Sequence, residues 1–181
     1  GLQVVLQALL MKGKIIYPGL EQDLESQISF LAEHGCNALS ATPTMWRKIV
    51  MSPTSKMLDL KQITLGGEIS DDKILEILNK TFPEAFVTHI YASTEAGVGF
   101  SVKDQKAGFP LSYLKEPPQG VLLKVSSDRL WVKNEHVKLM EGDVFLDSKD
   151  SKGWIDTGDN VSIVRDRVYF LGRASGIINV G

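Results

Sequence analysis

Three short stretches of this chain carry side-chain types that could do chemistry together. The first runs from Phe86 to Gly97 and reads FVTHIYASTEAG. An apolar run delivers Tyr91 at its end, and a loop of small residues then presents Ser93, Thr94 and Glu95. In open parallel sheets, ligands bind beyond the carboxyl ends of the strands, where such a loop lies. An aromatic ring there can stack on a base, and a hydroxyl can donate to a phosphate. A carboxylate can hold magnesium, which prefers hard oxygen ligands. The same residues also suit a plain strand-end turn with a solvated glutamate.

The second stretch is Gly153-Trp154-Ile155-Asp156-Thr157-Gly158-Asp159. A carboxylate straight after Thr-Gly can approach vicinal hydroxyls, as acidic residues do at ribose in other nucleotide folds. Thr-Gly-Asp is equally compatible with a β-turn, against which Trp154 would pack. The third is Phe170-Leu171-Gly172-Arg173, an arginine released beside a glycine at a strand end. Its guanidinium offers fixed donors to phosphate or hydroxyl oxygens, although a surface ion pair is the commoner role.

These residues need elements to hold them. Apolar spacing predicts helices over Val4 to Lys12 and over Glu21 to His34, the second with Leu24, Ile28 and Leu31 on one face. Lys14 to Tyr17 reads as a short strand closed by Pro18-Gly19. Ala38 to Ala41 is a predicted strand. A helix from Pro43 to Met51 follows it, with Thr42 as its N-cap. Gln62 to Leu65 is a strand running into Gly66-Gly67, and Ser70 to Lys80 a helix that Ser70 would cap. Phe86 to Tyr91 is the next strand. Strands alternating with helices at this spacing give an α/β unit whose parallel sheet has helical crossovers, over residues 1–105.

From residue 106 to 181 the pattern changes, and Pro117-Pro118 marks a connector. Short strands separated by turns follow, at Val121 to Val125, Arg129 to Lys133, Asp143 to Leu146, Val161 to Val164 and Val168 to Leu171. They predict a smaller β-rich subdomain, antiparallel or barrel-like. Met51-Ser52-Pro53-Thr54-Ser55-Lys56 imitates a phosphate loop, but it has no glycine to let backbone wrap an anion. It is expected to be a linker.

Composition bounds the partners. The chain has 181 residues, with a 43% apolar and 23% charged content ordinary for a globular protein. A net charge of −2 gives no reason to expect nucleic acid or an anionic membrane. No apolar run is long enough to form a transmembrane segment. One cysteine, Cys36, cannot make an internal disulfide, which suits a cytoplasmic protein and a buried structural thiol. His34, His89 and His136 show no metal-ligand spacing. A dinucleotide-dependent oxidoreductase would need a glycine fingerprint opening a helix, which Gly66-Gly67-Glu68 does not supply.

Taken in order, Tyr-Ala-Ser-Thr-Glu, Gly-Trp-Ile-Asp-Thr-Gly-Asp and Tyr-Phe-Leu-Gly-Arg resemble the motif series of the adenylate-forming (AMP-binding) enzyme superfamily, in its acyl-CoA synthetase-like branch. Ala41-Thr42-Pro43-Thr44-Met45 is similar to that family's Val-Pro-Thr segment, and Leu65-Gly66-Gly67-Glu68 to its Gly-Gly-Glu loop. Lys106-Ala107-Gly108-Phe109-Pro110 is similar to the glycine-and-proline stretch that follows the Thr-Glu motif. The resemblance implies that Tyr91 stacks on adenine, that Thr94 contacts the α-phosphate and that Glu95 coordinates magnesium. It further implies that Gly67 and Glu68 line the adenine and acyl side, while Asp159 and Arg173 bind ribose. Ser175 stands where the family's hinge residue is often Asp or Lys, and Ala92 replaces the commoner Gly.

The activity so implied is that of an acid–thiol ligase. ATP and magnesium activate a fatty or aryl carboxylic acid as acyl-AMP, and coenzyme A or a carrier-protein thiol then displaces AMP. The family's Ser/Thr/Gly-rich phosphate loop and its catalytic lysine have no counterpart within these residues. Gly1 in place of Met, and the strand-like run Ile177-Ile178-Asn179-Val180 before Gly181, are also expected of an internal fragment, itself inactive. The alternative is a non-catalytic or carrier-protein-loading module, amino-acid adenylation included.

Overall fold

The computed structural model describes residues 2–19, 23–93, 98–134 and 150–173. Helix α1 spans Leu2–Leu10 and α2 spans Leu24–Glu33. Asp23 starts α2 by accepting the Ser26 N–H at 2.9 Å. Its Ile28 and Leu31 are buried, and Leu24 packs beside them. Strand β1 is Ala38–Ala41, and α3 is Pro43–Met51. Thr42 caps α3 through the Met45 N–H, with Pro43 in the first turn where its missing donor costs nothing. Trp46 of α3 is fully buried, and its Nε1–H donates to the Thr64 carbonyl at 3.0 Å. That bond ties α3 to β2, Gln62–Gly66. Helix α4, Asp72–Thr81, returns the chain to β3, Phe86–Ser93.

Strands β1, β2 and β3 are parallel and adjacent in chain order, with α3 and α4 as the crossovers. The first core lies between these helices and strands. Ile28, Trp46, Ile63, Leu65, Ile74, Leu78 and Val87 are among its buried members.

Several sequence expectations change here. Lys14 to Tyr17 is irregular rather than a strand. Among the described residues the sheet begins at β1 and no strand pairs with this segment, and Ile15 and Tyr17 face solvent. Helix α4 is capped by Asp71, not Ser70: the Asp71 carboxylate accepts the Ile74 N–H at 2.9 Å, while Ser70 is buried one residue earlier. Pro53–Met57 forms a 3-10 turn where a linker was expected. The first sheet is also not wholly parallel. A fourth strand, β4 (Val98–Val102), runs antiparallel to β3, where no element is expected from the helix-and-strand alternation. The predicted strand at Asp143 to Leu146, and His136, lie outside the described residues.

The second sheet contains β5 (Phe109–Pro110), β6 (Val121–Ser126), β7 (Arg129–Asn134), β8 (Ile155–Val164) and β9 (Arg167–Arg173). Its order is β5-β9-β8-β7-β6, and every pairing is antiparallel. Its core contains Phe109, Val121, Leu123, Leu130, Val132, Ile155, Val161 and Val168. Phe100 and Val102 of β4 join that core, although β4 hydrogen-bonds to the first sheet. Backbone belongs to one layer there and side chains to the other, so β4 is the seam.

The chain leaving β4 is clamped from three sides. Arg167, buried on β9, donates Nε–H to the Ala107 carbonyl and pairs through Nη1 with Asp104 at 2.5 Å. Asp72 at the start of α4 accepts the Ala107 N–H at 2.8 Å. His89 of β3 is 3.0 Å from the Lys106 carbonyl through Nε2. A carbonyl only accepts, so that nitrogen carries a proton. Gly108 closes the clamp with φ of +67°, and a Cβ on it would sit 2.1 Å from the Val168 carbonyl oxygen.

Two outcomes follow from the clamp. Gly108→Ala adds left-handed strain to a collision with backbone that cannot swing aside, and should cost about 3 kcal/mol or more in urea unfolding. Burial pushes the His89 pKa below the ordinary histidine value, against the opposing pull of the Lys106 carbonyl and Asp104. The unfolded chain therefore takes up a proton that the folded chain resists. Stability from this site is complete above about pH 6.5 and is lost as pH falls toward the lowered folded value. Thermal midpoints measured across that window should fall less steeply in His89→Gln, whose amide still donates, than in the wild type.

Candidate functional site

Tyr91 leaves β3 at the carboxyl end of the parallel strands, and its side chain crosses to the second sheet. Its O–H donates to Asp159 Oδ2 at 2.6 Å, across 68 residues of sequence. Its ring lies nearly parallel to Phe170, with centroids 4.9 Å apart and planes 11° apart, and tilts against Phe100 at 5.2 Å. Phe109 contacts both Phe100 and Phe170. The tyrosine is held by its ring and by its hydroxyl together.

Asp159 is positioned by the backbone of β8. Thr-Gly-Asp does not form a separate turn; it lies inside the strand, which kinks there. Gly158 adopts φ of +75°, and the register with β9 shifts just beyond, between Asn160 and Val161. Side chains hold the kink from both ends. Asp156 Oδ1 accepts the Gly158 N–H at 2.9 Å, and Asp156 Oδ2 pairs with Arg129 Nη1 at 3.0 Å. Thr157, buried, donates to the Leu130 carbonyl at 2.8 Å while its Oγ1 accepts the Asp159 N–H at 3.2 Å. Asp156, Thr157 and Arg129 are site-forming residues that sequence reasoning did not single out. For the first two, the available signal was an Asp and a Thr directly before a glycine.

Arg173 stands directly opposite Asp159 in the β8–β9 register, and its Nε lies 3.4 Å from Asp159 Oδ1. The Asp159 side chain is 14% exposed and that of Arg173 is 40% exposed. The structure thus brings Tyr91, Asp159 and Arg173 together. Trp154 is not their support: its ring sits 4.6 Å from Lys124 Nζ, which also faces Trp131 and pairs with Asp150.

Gly67 and Glu68 occupy the end of β2, beside β3, where Gly66 pairs with Ile90. Gly67 has φ of +81°, a conformation that turns the chain back toward α3. Glu68 Oε2 accepts the Thr44 N–H at 2.9 Å and the Thr44 O–H at 2.6 Å. Burial alone would raise the Glu68 pKa, but the Thr44 and Thr42 hydrogen bonds and the Arg47 charge hold it below the ordinary value. The carboxylate is therefore an anion at the amino end of α3, where the helix dipole favours one. Thr94, Glu95 and Ser175 lie outside the described residues. Among the described residues, no group of three His, Cys, Asp or Glu side chains could hold a metal ion. No described helix is long and apolar enough to cross a membrane.

Aromatic, carboxylate and guanidinium side chains from the two sheets thus meet at one place. The family model described as AMP-binding enzyme matches residues 1–135, and the chain belongs to that family. Solved structures with the same fold include the anthranilate CoA ligase AuaEII in complex with anthranoyl-AMP, 15% identical, with a TM-score of 0.72 over 93% of this chain and 36% of that one. ATP-bound MatB from Rhodopseudomonas palustris is 19% identical, with a TM-score of 0.71 over 94% of this chain and 37% of that one. The O-succinylbenzoate coenzyme A synthetase MenE from Bacillus subtilis, in complex with ATP and magnesium ion, is 17% identical, with a TM-score of 0.67 over 100% of this chain and 40% of that one. The chain thus spans well under half the length of these structures. No curated protein sequence matches it.

The geometry of β8 can be tested on its own. Thr157→Val keeps the shape but removes one donor and one acceptor, leaving the Leu130 carbonyl and the Asp159 N–H without them. A loss of about 1–3 kcal/mol in urea unfolding is expected, together with shifted amide resonances for Gly158 and Asp159.

Proposed function

We propose that the chain forms the adenine- and ribose-binding part of an ATP-dependent acid–thiol ligase. The observation that carries this reading is the contact of Tyr91 with Asp159, which joins two motifs 68 residues apart in the sequence at one point. In this reading the Tyr91 ring receives adenine, Asp159 accepts from the ribose hydroxyls and Arg173 donates to a ribose oxygen. Gly67 and Glu68 line the adenine and acyl side, with Glu68 anchored on Thr44. Thr94 contacts the α-phosphate. Glu95 would hold magnesium, whose charge offsets that on the phosphate oxygens.

The reaction has two halves. A carboxylate oxygen of the acid forms a bond to the α-phosphorus of ATP as the bond to pyrophosphate breaks, giving acyl-AMP. A thiol sulfur, of coenzyme A or of a carrier protein, then bonds to the acyl carbon and AMP leaves. The residues here would contribute orientation and placed charge rather than a nucleophile. The proposed substrate is a fatty or aryl acid and the proposed setting the cytoplasm. The chain contains no Ser/Thr/Gly-rich loop with a lysine to grip the triphosphate, so it would bind ATP weakly and not turn over alone.

Pyrophosphate release by the full-length protein, screened against fatty, aryl and amino acids, tests this. Signal with fatty or aryl acids is expected, reduced at least tenfold by Asp159→Ala through the loss of a charged hydrogen-bond acceptor, worth about 1.5–3 kcal/mol. Signal with amino acids only would overturn the acid–thiol ligase reading. Acyl-adenylate formation by the isolated 181-residue chain would overturn its proposed inactivity.

A further inference from the structure

We infer that the Tyr91 hydroxyl is a positioning group that presets Asp159 to recognise a vicinal diol, and so makes the site selective for ribonucleotides over deoxyribonucleotides. This rests on the nucleotide reading above and adds a role to Tyr91 that is separate from its ring. An ionised carboxylate has about four lone-pair sites, two on each oxygen. On Asp159, one site on Oδ2 takes the Tyr91 O–H at 2.6 Å, and Oδ1 faces Arg173 Nε at 3.4 Å. One accepting site remains on each oxygen. Two acceptors a carboxylate's width apart suit two hydroxyls on neighbouring carbons.

The carboxylate could present those two sites only if it did not rotate about its own axis. Two contacts oppose rotation: Arg173 faces one oxygen and Tyr91 pins the other, while Thr157 Oγ1 fixes the backbone N–H of the same residue. The Tyr91 contact is the shortest of the three. The tyrosine is itself immobile, because Phe170 lies parallel to its ring and Phe100 packs against it. The hydroxyl is therefore held by a rigid aromatic group, on an aspartate that is 14% exposed and hence reachable. A phenylalanine at 91 would keep the ring and every aromatic contact, yet free Oδ2 to turn.

Binding of ATP and of 2′-deoxy-ATP is measured by saturation-transfer NMR at millimolar nucleotide, a concentration range that detects weak complexes. The wild-type chain is expected to prefer ATP. In Tyr91→Phe the ATP to 2′-deoxy-ATP preference should shrink by about three- to tenfold, the range for the net contribution of one ordinary hydrogen bond. In an Asp159→Asn background the same change should leave the preference unmoved, since there is no carboxylate to orient. Phe170→Leu loosens the ring without touching the hydroxyl's partner, and should weaken both nucleotides alike. A Tyr91→Phe chain that keeps the wild-type preference overturns the positioning role while leaving the nucleotide reading intact. A wild-type chain that binds neither nucleotide, or both equally, removes the ribose reading and the positioning role with it.

Discussion

Tyr91 belongs by its backbone to one sheet and by its side chain to the other. Its strand, β3, is hydrogen-bonded between β2 and β4. Its ring is stacked on Phe170 of β9, and its hydroxyl ends on Asp159 of β8. An aromatic pair of this kind contributes about 0.5–1.5 kcal/mol beyond the area it buries. A hydrogen bond to a carboxylate adds directional restraint that stacking lacks. The placement of every proposed nucleotide contact in the second sheet, relative to those in the first, passes through this residue. Orientation and stability are thus served by one side chain, which also explains why the site sits at the junction of the layers.

That junction needs a second fastening away from the ligand, and the clamp on residues 104–108 provides it. Arg167 is a buried cation, and burying an unpaired one would cost several kcal/mol. Its donors are satisfied by Asp104 and by the Lys106 and Ala107 carbonyls. The guanidinium thus converts an irregular segment, whose backbone would otherwise be exposed or unpaired, into a fixed link between β4 and β5. Asp72 and His89 attach the same segment to α4 and β3. The two fastenings differ in kind: the clamp is polar and built on the buried Arg167 and His89, whereas the Tyr91 strut is aromatic and partly open.

Much of this was legible in the sequence where the physics is local. Thr42 before Pro43, and the helical spacing of Trp46 and Ile49, placed α3 correctly because capping and periodicity act within a few residues. The strand at Ala38–Ala41 matched for the same reason. β4 was missed because its apolar residues Val98, Phe100 and Val102 alternate around Gly99, a short period-two pattern next to a motif that drew the eye as a loop. Lys14 to Tyr17 had the composition of a strand but pairs with no strand among the described residues, and pairing cannot be read from one segment. The motifs Tyr91, Asp159 and Arg173 were readable singly. That the first donates to the second was not, since nothing in either stretch encodes a partner 68 residues away.

Glu68 shows how the same limit bears on function. From the sequence it is a carboxylate beside two glycines, available to a ligand. In the fold its Oε2 accepts twice from Thr44, so it serves as the anion at the start of α3 and as the anchor of the Gly67 turn. A carboxylate held on a helix terminus keeps its charge more firmly than a free one, and the residues on either side of it inherit that rigidity. Asp159 and Glu68 are then alike in arrangement. Each is an acid at a strand kink or end, each follows a glycine with positive φ, and each has one oxygen committed to a hydroxyl from a different element. In the proposed site both acids are thus oriented by the fold itself, which is what electrostatic preorganisation requires of groups that must act without rearranging.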